Sequence, residues 1–481
     1  MRNALTCPYK GTSSQGSEVP TAAASLFLII LALSITAPVQ AASQLSQFGI
    51  RWIFDKDYQT GQFANGDYWV VGPVTITSMT KPAGYQGTVG AMINPMPGFN
   101  NGYDSRVPGY VASLDVSRTM PLTIGTNKSL VTTVTWLVGE SGAPAQIREW
   151  GAPRPALRLG AVLTVLASAP PAGSFRPPYA SNYKPIYSTS QLKRSLLPNL
   201  TPVSSAPSFA IAKTYLEKPW LDHRIEWQGD DLHPSENMPN YGRNLASVIN
   251  DVSLMLLTNL PSDQKEVLMI QFVQVGIDFY GNVKNGAYWG DVGGGIGIGR
   301  KWPILLAGML LDNTEMKNVG INYGDITFQE DGQTFYLTSE EASLYTPSSY
   351  LGFTVSVGDA VWGIRHVVHA VYPWCEDPGN VSYMESCTAN GWNGAVLSAY
   401  LLNAKALWNH NALFDYTDWY MKQNWDPPWY RSWSPLAAQM WDTYRPGCSS
   451  HDDDNSGYVP EFNGDTGDYV SPRIRVVPKT N

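Results

Sequence analysis

The chain has 481 residues, with 40 acidic against 32 basic side chains and a formal net charge of −8. That length exceeds what one hydrophobic core usually serves, so two domains are expected. The acidic balance speaks against nucleic acid as a partner, because meeting a row of phosphates needs a basic face.

Residues 25–37 form a short apolar run, and Val39-Gln40-Ala41 follows with small residues at the cleavage positions. This pattern predicts a signal peptide over 1–41 and a secreted or periplasmic/extracellular protein. A single membrane anchor is the alternative, although the run is short for a span. No later transmembrane stretch follows, so no stable span is expected after cleavage. Cleavage removes Arg2, Lys10 and Glu18, taking the net charge from −8 to −9. Cys375, Cys387 and Cys448 then remain, and Cys375 can pair with either of the other two. No Cys-x-x-Cys or His-x-x-x-His pair occurs, and neither a metal nor another cofactor is expected.

Residues 45–170 are rich in Val, Thr, Ile, Tyr and Trp between turn residues. Asp67–Thr77 reads as a strand pair, Ser129–Trp136 alternates as a half-buried strand, and 156–167 adds an apolar run. A β-sandwich is the expected result. Residues 171–207 carry many Pro, Ser and Tyr and little periodicity, as a linker or a long surface strap does.

From residue 208 the period becomes helical. Leu245, Val248, Ile249, Val252, Met255 and Leu256 share one helix face. Pro261 stops that helix, and Ser262 is placed to cap the next. Further helices are expected over Trp302–Asp312, from about Trp392, and over Phe414–Met421. A β-like insertion lies near 320–372, where Glu330-Asp-Gly-Gln333 reads as a hairpin turn. The helical domain therefore spans 208–445, and a polar tail fills 446–481. Helical hairpins after a β-sandwich point to an α+β multidomain protein with an α/α toroid-like second domain.

The segment opened by Tyr288 and Trp289 runs through a glycine-rich stretch into Arg300, Lys301 and a helix with Pro303 in its first turn. Two cations at a helix N-terminus oppose its dipole unless an anion is shared there. Either an anionic group is held above this helix, or the glycines serve tight turns and the cations are solvated. The spacing fits neither the Walker nor the Rossmann loop.

The second helix is apolar nearly all round, broken by Gln271, Gln274 and Asp278 on one face. That stripe either lines a cavity for sugar hydroxyls or is the solvent side of the helix. Residues 220–244 are the densest in reactive groups, including His233, Tyr241 and Arg243, and read as a rim loop. Its carboxylates either act as an acid–base pair or join local ion pairs. His366 and His369 lie three apart in a strand-like stretch, where they point to opposite faces and cannot share a metal. At Ser386–Gly394 small residues permit close approach of a ligand or a helix, with Asn390 and Trp392 as polar and stacking contacts. Asp452, Asp454 and Ser456 faintly resemble a calcium loop, but Asn463 stands at the position that needs Glu.

Pro239-Asn-Tyr-Gly-Arg-Asn244, the glycine-rich Arg300-Lys301 helix start, and Cys387-Thr-Ala-Asn-Gly-Trp392 carry a resemblance that covers about half the chain. The layout resembles secreted carbohydrate-active enzymes with an α/α toroid and a β-sandwich, especially polysaccharide lyases. That resemblance implies β-elimination on a uronate polysaccharide. Such chemistry needs a cation on the carboxylate, a base for the adjacent proton, and an acid for the departing oxygen. Tyr241, Arg243, His233, Tyr288 and His366 are the catalytic candidates. Arg300, Lys301, Gln274, Asp278, Asn390 and Trp392 are the substrate-binding ones. Two alternatives stand beside it: a glycoside hydrolase using two of Glu226, Asp230, Asp231 and Glu236, and a non-catalytic glycan-binding surface protein.

Overall fold

The computed structural model describes residues 40–225, 231–239, 242–290, 295–324, 327–339, 356–363, 387–425 and 428–448. Residues 1–39 of the expected signal peptide over 1–41, Cys375, the His366–His369 pair, and the tail beyond residue 448 lie outside them; Gln40 and Ala41 of that expected peptide open the first strand.

Ten strands are described: β1 (Gln40–Gln47), β2 (Ile50–Gln62), β3 (Tyr68–Val71), β4 (Val74–Thr80), β5 (Val89–Ile93), β6 (Leu122–Ile124), β7 (Lys128–Thr135), β8 (Leu157–Leu166), β9 (Thr334–Tyr336) and β10 (Ala360–Trp362). The first eight form one sheet in the order β5-β7-β8-β3-β2-β4-β6, with β1 paired to β2. The sheet is mixed, since β3 runs parallel to β8 while the remaining pairs are antiparallel. The eight strands form a single ladder curled into a half-barrel. β3 and β4, expected to pair with each other, instead sit side by side along the long β2, Thr60 opposite Val70 and Trp52 opposite Met79.

The inner face follows the period of two. Ile50, Trp52 and Phe54 point into the curl with Val70, Ile76, Leu130 and Leu163. The outer faces of β7 and β8 are covered too, because Val131, Leu157 and Val162 pack with Tyr179, Leu221 and Leu232. β7 is therefore buried almost throughout, not half-buried as its alternation suggested. Strands covered on both faces need no polar side.

The helices are α1 (Phe209–Tyr215), α2 (Gly242–Leu256), α3 (Ser262–Lys284), α4 (Lys301–Leu310), α5 (Thr314–Lys317), α6 (Val319–Asn322), α7 (Gln329–Gly332), α8 (Ala389–Leu401), α9 (Lys405–Trp408), α10 (Asn411–Met421) and α11 (Pro435–Tyr444). The chain is thus a mixed α+β protein. α2 packs on α8, and α3 on α4. Ser262 is the first residue of α3 rather than its cap, which is Pro261. The expected turn at Glu330-Asp-Gly-Gln333 is instead the short helix α7, and β9 and β10 pair beyond it.

Residues 171–207 are a strap rather than a free linker. Phe175, Leu192 and Leu197 belong to the helical core. Arg176 is wholly buried, with Asp67 of the sheet half and Asp278 of α3 as partners.

Candidate functional site

The three segments that carried the resemblance meet at one point. A Cβ added to Gly242, which opens α2, would stand 1.6 Å from the Gly295 carbonyl oxygen. One added to Gly295 would stand 1.6 Å from the Cys387 carbonyl oxygen, just before α8. A Cβ added to Gly391 of α8 would stand 2.7 Å from Ile298 Cδ1 and, less tightly, 3.2 Å from the Arg243 Cα. Glycine here removes the side chains that would hold three chain segments apart. The helix α4 starts six residues after Gly295.

Arg243, in the first turn of α2, is half-buried at this junction. Its guanidinium lies 3.9 Å from the ring centroid of Trp433, and its Nη1 is 3.9 Å from Cys387 Sγ. Asn390 is fully buried beside it: its carbonyl oxygen accepts from Trp433 N–H at 2.8 Å, and its Nδ2 donates to the Trp429 carbonyl oxygen at 3.5 Å. Among the described residues Asn390 Oδ1 has no partner. Trp429 is 41% exposed and lies 5.6 Å from Trp433, ring to ring. A cation, a buried amide and an exposed indole thus share one rim.

The other sequence candidates go elsewhere. Arg300 caps α4 and is buried, but its anion is internal: Nε donates to Asp222 at 2.8 Å, and Nη1 to the carbonyl oxygens of Ile296 and Ile298. Lys301 is likewise buried and paired with Asp331. The anion expected above this helix start is therefore two protein carboxylates. Gln274 and Asp278 are buried, so the stripe is not the solvent side of the helix. Gln274 exchanges two hydrogen bonds with the Arg176 backbone, both at 3.0 Å, and Asp278 clamps the Arg176 guanidinium. Trp392 faces the opposite side of α8, where its Nε1 donates to Thr417 Oγ1 at 3.2 Å. His233 is buried at the sheet, next to Pro234, which pairs with Leu157 of β8. Tyr288 is half-buried at the entry to the glycine loop. Tyr241 and His366 lie outside the described residues.

These clamps form one buried polar chain. Asp67, Arg176 and Asp278 continue through Tyr179, whose hydroxyl accepts from Asp222 N–H at 2.8 Å and from Asn282 Nδ2 at 3.2 Å. Asp222 then reaches Arg300. Burial alone would lower the Arg176 pKa, but Asp278 and Asp67 outweigh it and hold the guanidinium above the usual arginine value.

Sequence reasoning missed Glu330, which a turn motif concealed. It is 1% exposed, and its Oε2 has no partner among the described residues. Its neighbour Gln329 accepts from the glycine loop at Gly297 N–H. Burial, then Asp331, push the Glu330 carboxyl up to about 7, with Lys301 and Arg300 pulling the other way. A raised folded pKa means the folded state holds a proton that the unfolded chain releases. The contribution is full below the unfolded value of about 4.3 and is lost as pH rises through about 7. Glu330→Gln should therefore gain on the parent between pH 5 and pH 8, by up to about 3 kcal/mol in urea unfolding. Parallel pH profiles would exclude the buried proton.

Among the described residues no group of three His, Cys, Asp or Glu side chains could hold a metal ion, and no helix is long and apolar enough to cross a membrane. No protein-family model, no curated protein and no solved structure matches the chain.

Proposed function

We propose that this protein is a secreted carbohydrate-active enzyme, a polysaccharide lyase that cleaves a uronate polymer by β-elimination. The observation that carries the reading is the glycine junction, which sets Arg243, Asn390 and the Trp433–Trp429 pair on one rim. The proposal gives carboxylate neutralisation to Arg243, whose guanidinium stands at the junction over the Trp433 ring, while Arg300 and Lys301 are buried with Asp222 and Asp331. With that charge offset, the proton on the carbon beside the carboxylate becomes acidic. A base removes it, the bond from the next carbon to the glycosidic oxygen breaks, and a carbon–carbon double bond forms. An acid returns a proton to the departing oxygen. Tyr241, two residues before Arg243 in the chain, is assigned acid and base, and Tyr288 is its alternative. The exposed Trp429 face suits the apolar side of a sugar ring.

The hydrolase reading is weaker on specific grounds. Asp231 is paired with Arg148 and Arg154, and Glu236 with Arg158, Lys218 and the Tyr85 hydroxyl. Glu226 and Asp230 lie outside the described residues.

The test is an assay on a panel of uronate and neutral polysaccharides, following both ultraviolet absorbance of the unsaturated product and new reducing ends. Both signals should rise together on a uronate polymer. Arg243→Ala should then cost at least ~10²-fold in kcat/KM, the usual scale for losing one preorganised charge partner. Reducing ends without absorbance would transfer the activity to a hydrolase. Binding with no product would make the rim a glycan-binding surface.

A further inference from the structure

We propose a second ligand site, independent of the lyase reading, in which Arg224 binds a small oxyanion, a carboxylate or a phosphate. Arg224 is 2% exposed. Its strand segment pairs with Gly98, and the Gly98 N–H donates to the His223 carbonyl oxygen at 3.1 Å. The Arg224 Nη2 donates to the Pro108 carbonyl oxygen at 2.9 Å, and the guanidinium carbon lies 4.8 Å from the Phe99 ring centroid. Both partners are neutral. Among the described residues Nε and Nη1 have no hydrogen-bond partner. Asp231, whose charge acts on Arg224, is itself held by Arg148 at 2.8 Å and by Arg154 at 3.4 Å.

A buried cation is ordinarily paired, because losing water without gaining an anion costs several kcal/mol. Arg176 in the same protein obeys that rule, with two carboxylates around its guanidinium. Arg224 departs from it. The departure extends to its neighbours. Both ring nitrogens of His223 and the Tyr103 hydroxyl are buried without partners among the described residues, and the two rings lie 5.7 Å apart. Burial, with Arg224 beside it, pushes His223 down to about 3, so its ring is neutral and offers one N–H. Burial also pushes Arg224 down to about 10, a cost that a bound anion would reverse. Unfilled guanidinium N–H donors, with an aromatic ring near the guanidinium, suit the oxygen acceptors of a carboxylate or phosphate.

The test follows the thermal midpoint of the full chain while sodium acetate or inorganic phosphate replaces sodium chloride at constant ionic strength. A ligand that binds only the folded state raises the midpoint along a saturating curve. Parent protein should gain a few degrees with at least one of the two anions. Arg224→Gln should show only the shallow, unsaturating slope that phosphate gives any protein through exclusion from its surface. Saturation with acetate alone assigns a carboxylate, and with phosphate alone a phosphate. Identical curves for parent and variant, or no saturating rise in the parent with either anion, would overturn the site. If Arg224→Gln does not fold, Arg224→Lys makes the same comparison, keeping the charge and losing the planar fork. Arg243→Ala should retain the full response; its loss there would overturn a site distinct from the junction.

Discussion

Arg176→Met should lower the unfolding free energy by about 3–5 kcal/mol, the scale seen when one partner is removed from a buried ion pair. The guanidinium is wholly buried between Asp67 and Asp278. Removing it strands two carboxylates with no water to solvate them. Asp67 would keep Gln47 and Asn65 as donors, and Asp278 would keep the Tyr179 N–H at 3.2 Å. Neither set replaces a positive charge. Adding Asp67→Asn and Asp278→Asn should restore part of the loss, because the stranded groups become neutral. Urea unfolding at neutral pH measures all three proteins. A loss under about 1 kcal/mol for Arg176→Met would mean that the carboxylates are hydrated or protonated, and that the buried network is not what joins the halves.

Gly295→Ala should be as damaging by a different route. The new Cβ would meet the Cys387 carbonyl oxygen at 1.6 Å, against a comfortable separation of about 3.5 Å. The obstacle is backbone, so no rotamer change relieves it. The loop and the start of α8 must part, and Gly242, already against the Gly295 carbonyl oxygen, must follow. Overpacking of this kind costs about 1–3 kcal/mol, and more where backbone must move. In the proposed lyase the rate should fall further than stability does, because Arg243 and Asn390 lose their common frame. Gly324→Ala is the control: among the described residues, its chain neighbours aside, no atom lies within 4 Å of a Cβ added to Gly324, and its backbone angle is open to any residue. Equal midpoints for Gly295→Ala and Gly324→Ala would refute the close approach.

Particular residues show what the sequence disclosed. The helical period placed α2, α3, α4, α8 and α10 within a few residues, because each repeats apolar groups against a single core. The stripe Gln274–Asp278 was visible as a stripe, yet its destination was not. Its partner Arg176 stands 102 residues from Asp278 in the chain, and no local pattern reports so distant a pairing. Of the two readings open for Arg300 and Lys301, solvated cations and cations sharing an anion, the fold shows both cations buried with carboxylates. That the anions are Asp222 and Asp331 follows only from the fold. Glu330 was hidden because Glu-Asp-Gly reads as a turn whether or not a helix forms there. The junction itself was legible in part, since glycines mark close approach, but which segments approach each other depends on tertiary packing.

The strap has a consequence for how the polypeptide can be divided. Its Lys193 and Arg194 are exposed, while Arg176 and Phe175 before them are fixed into the helical half. A single tryptic cut there would sever the covalent path and leave the buried clamp intact. The two pieces should then travel as one particle in gel filtration and separate only in denaturant. The protein would in effect be a heterodimer whose subunits happen to be encoded in tandem, open to reconstitution from two separately made fragments.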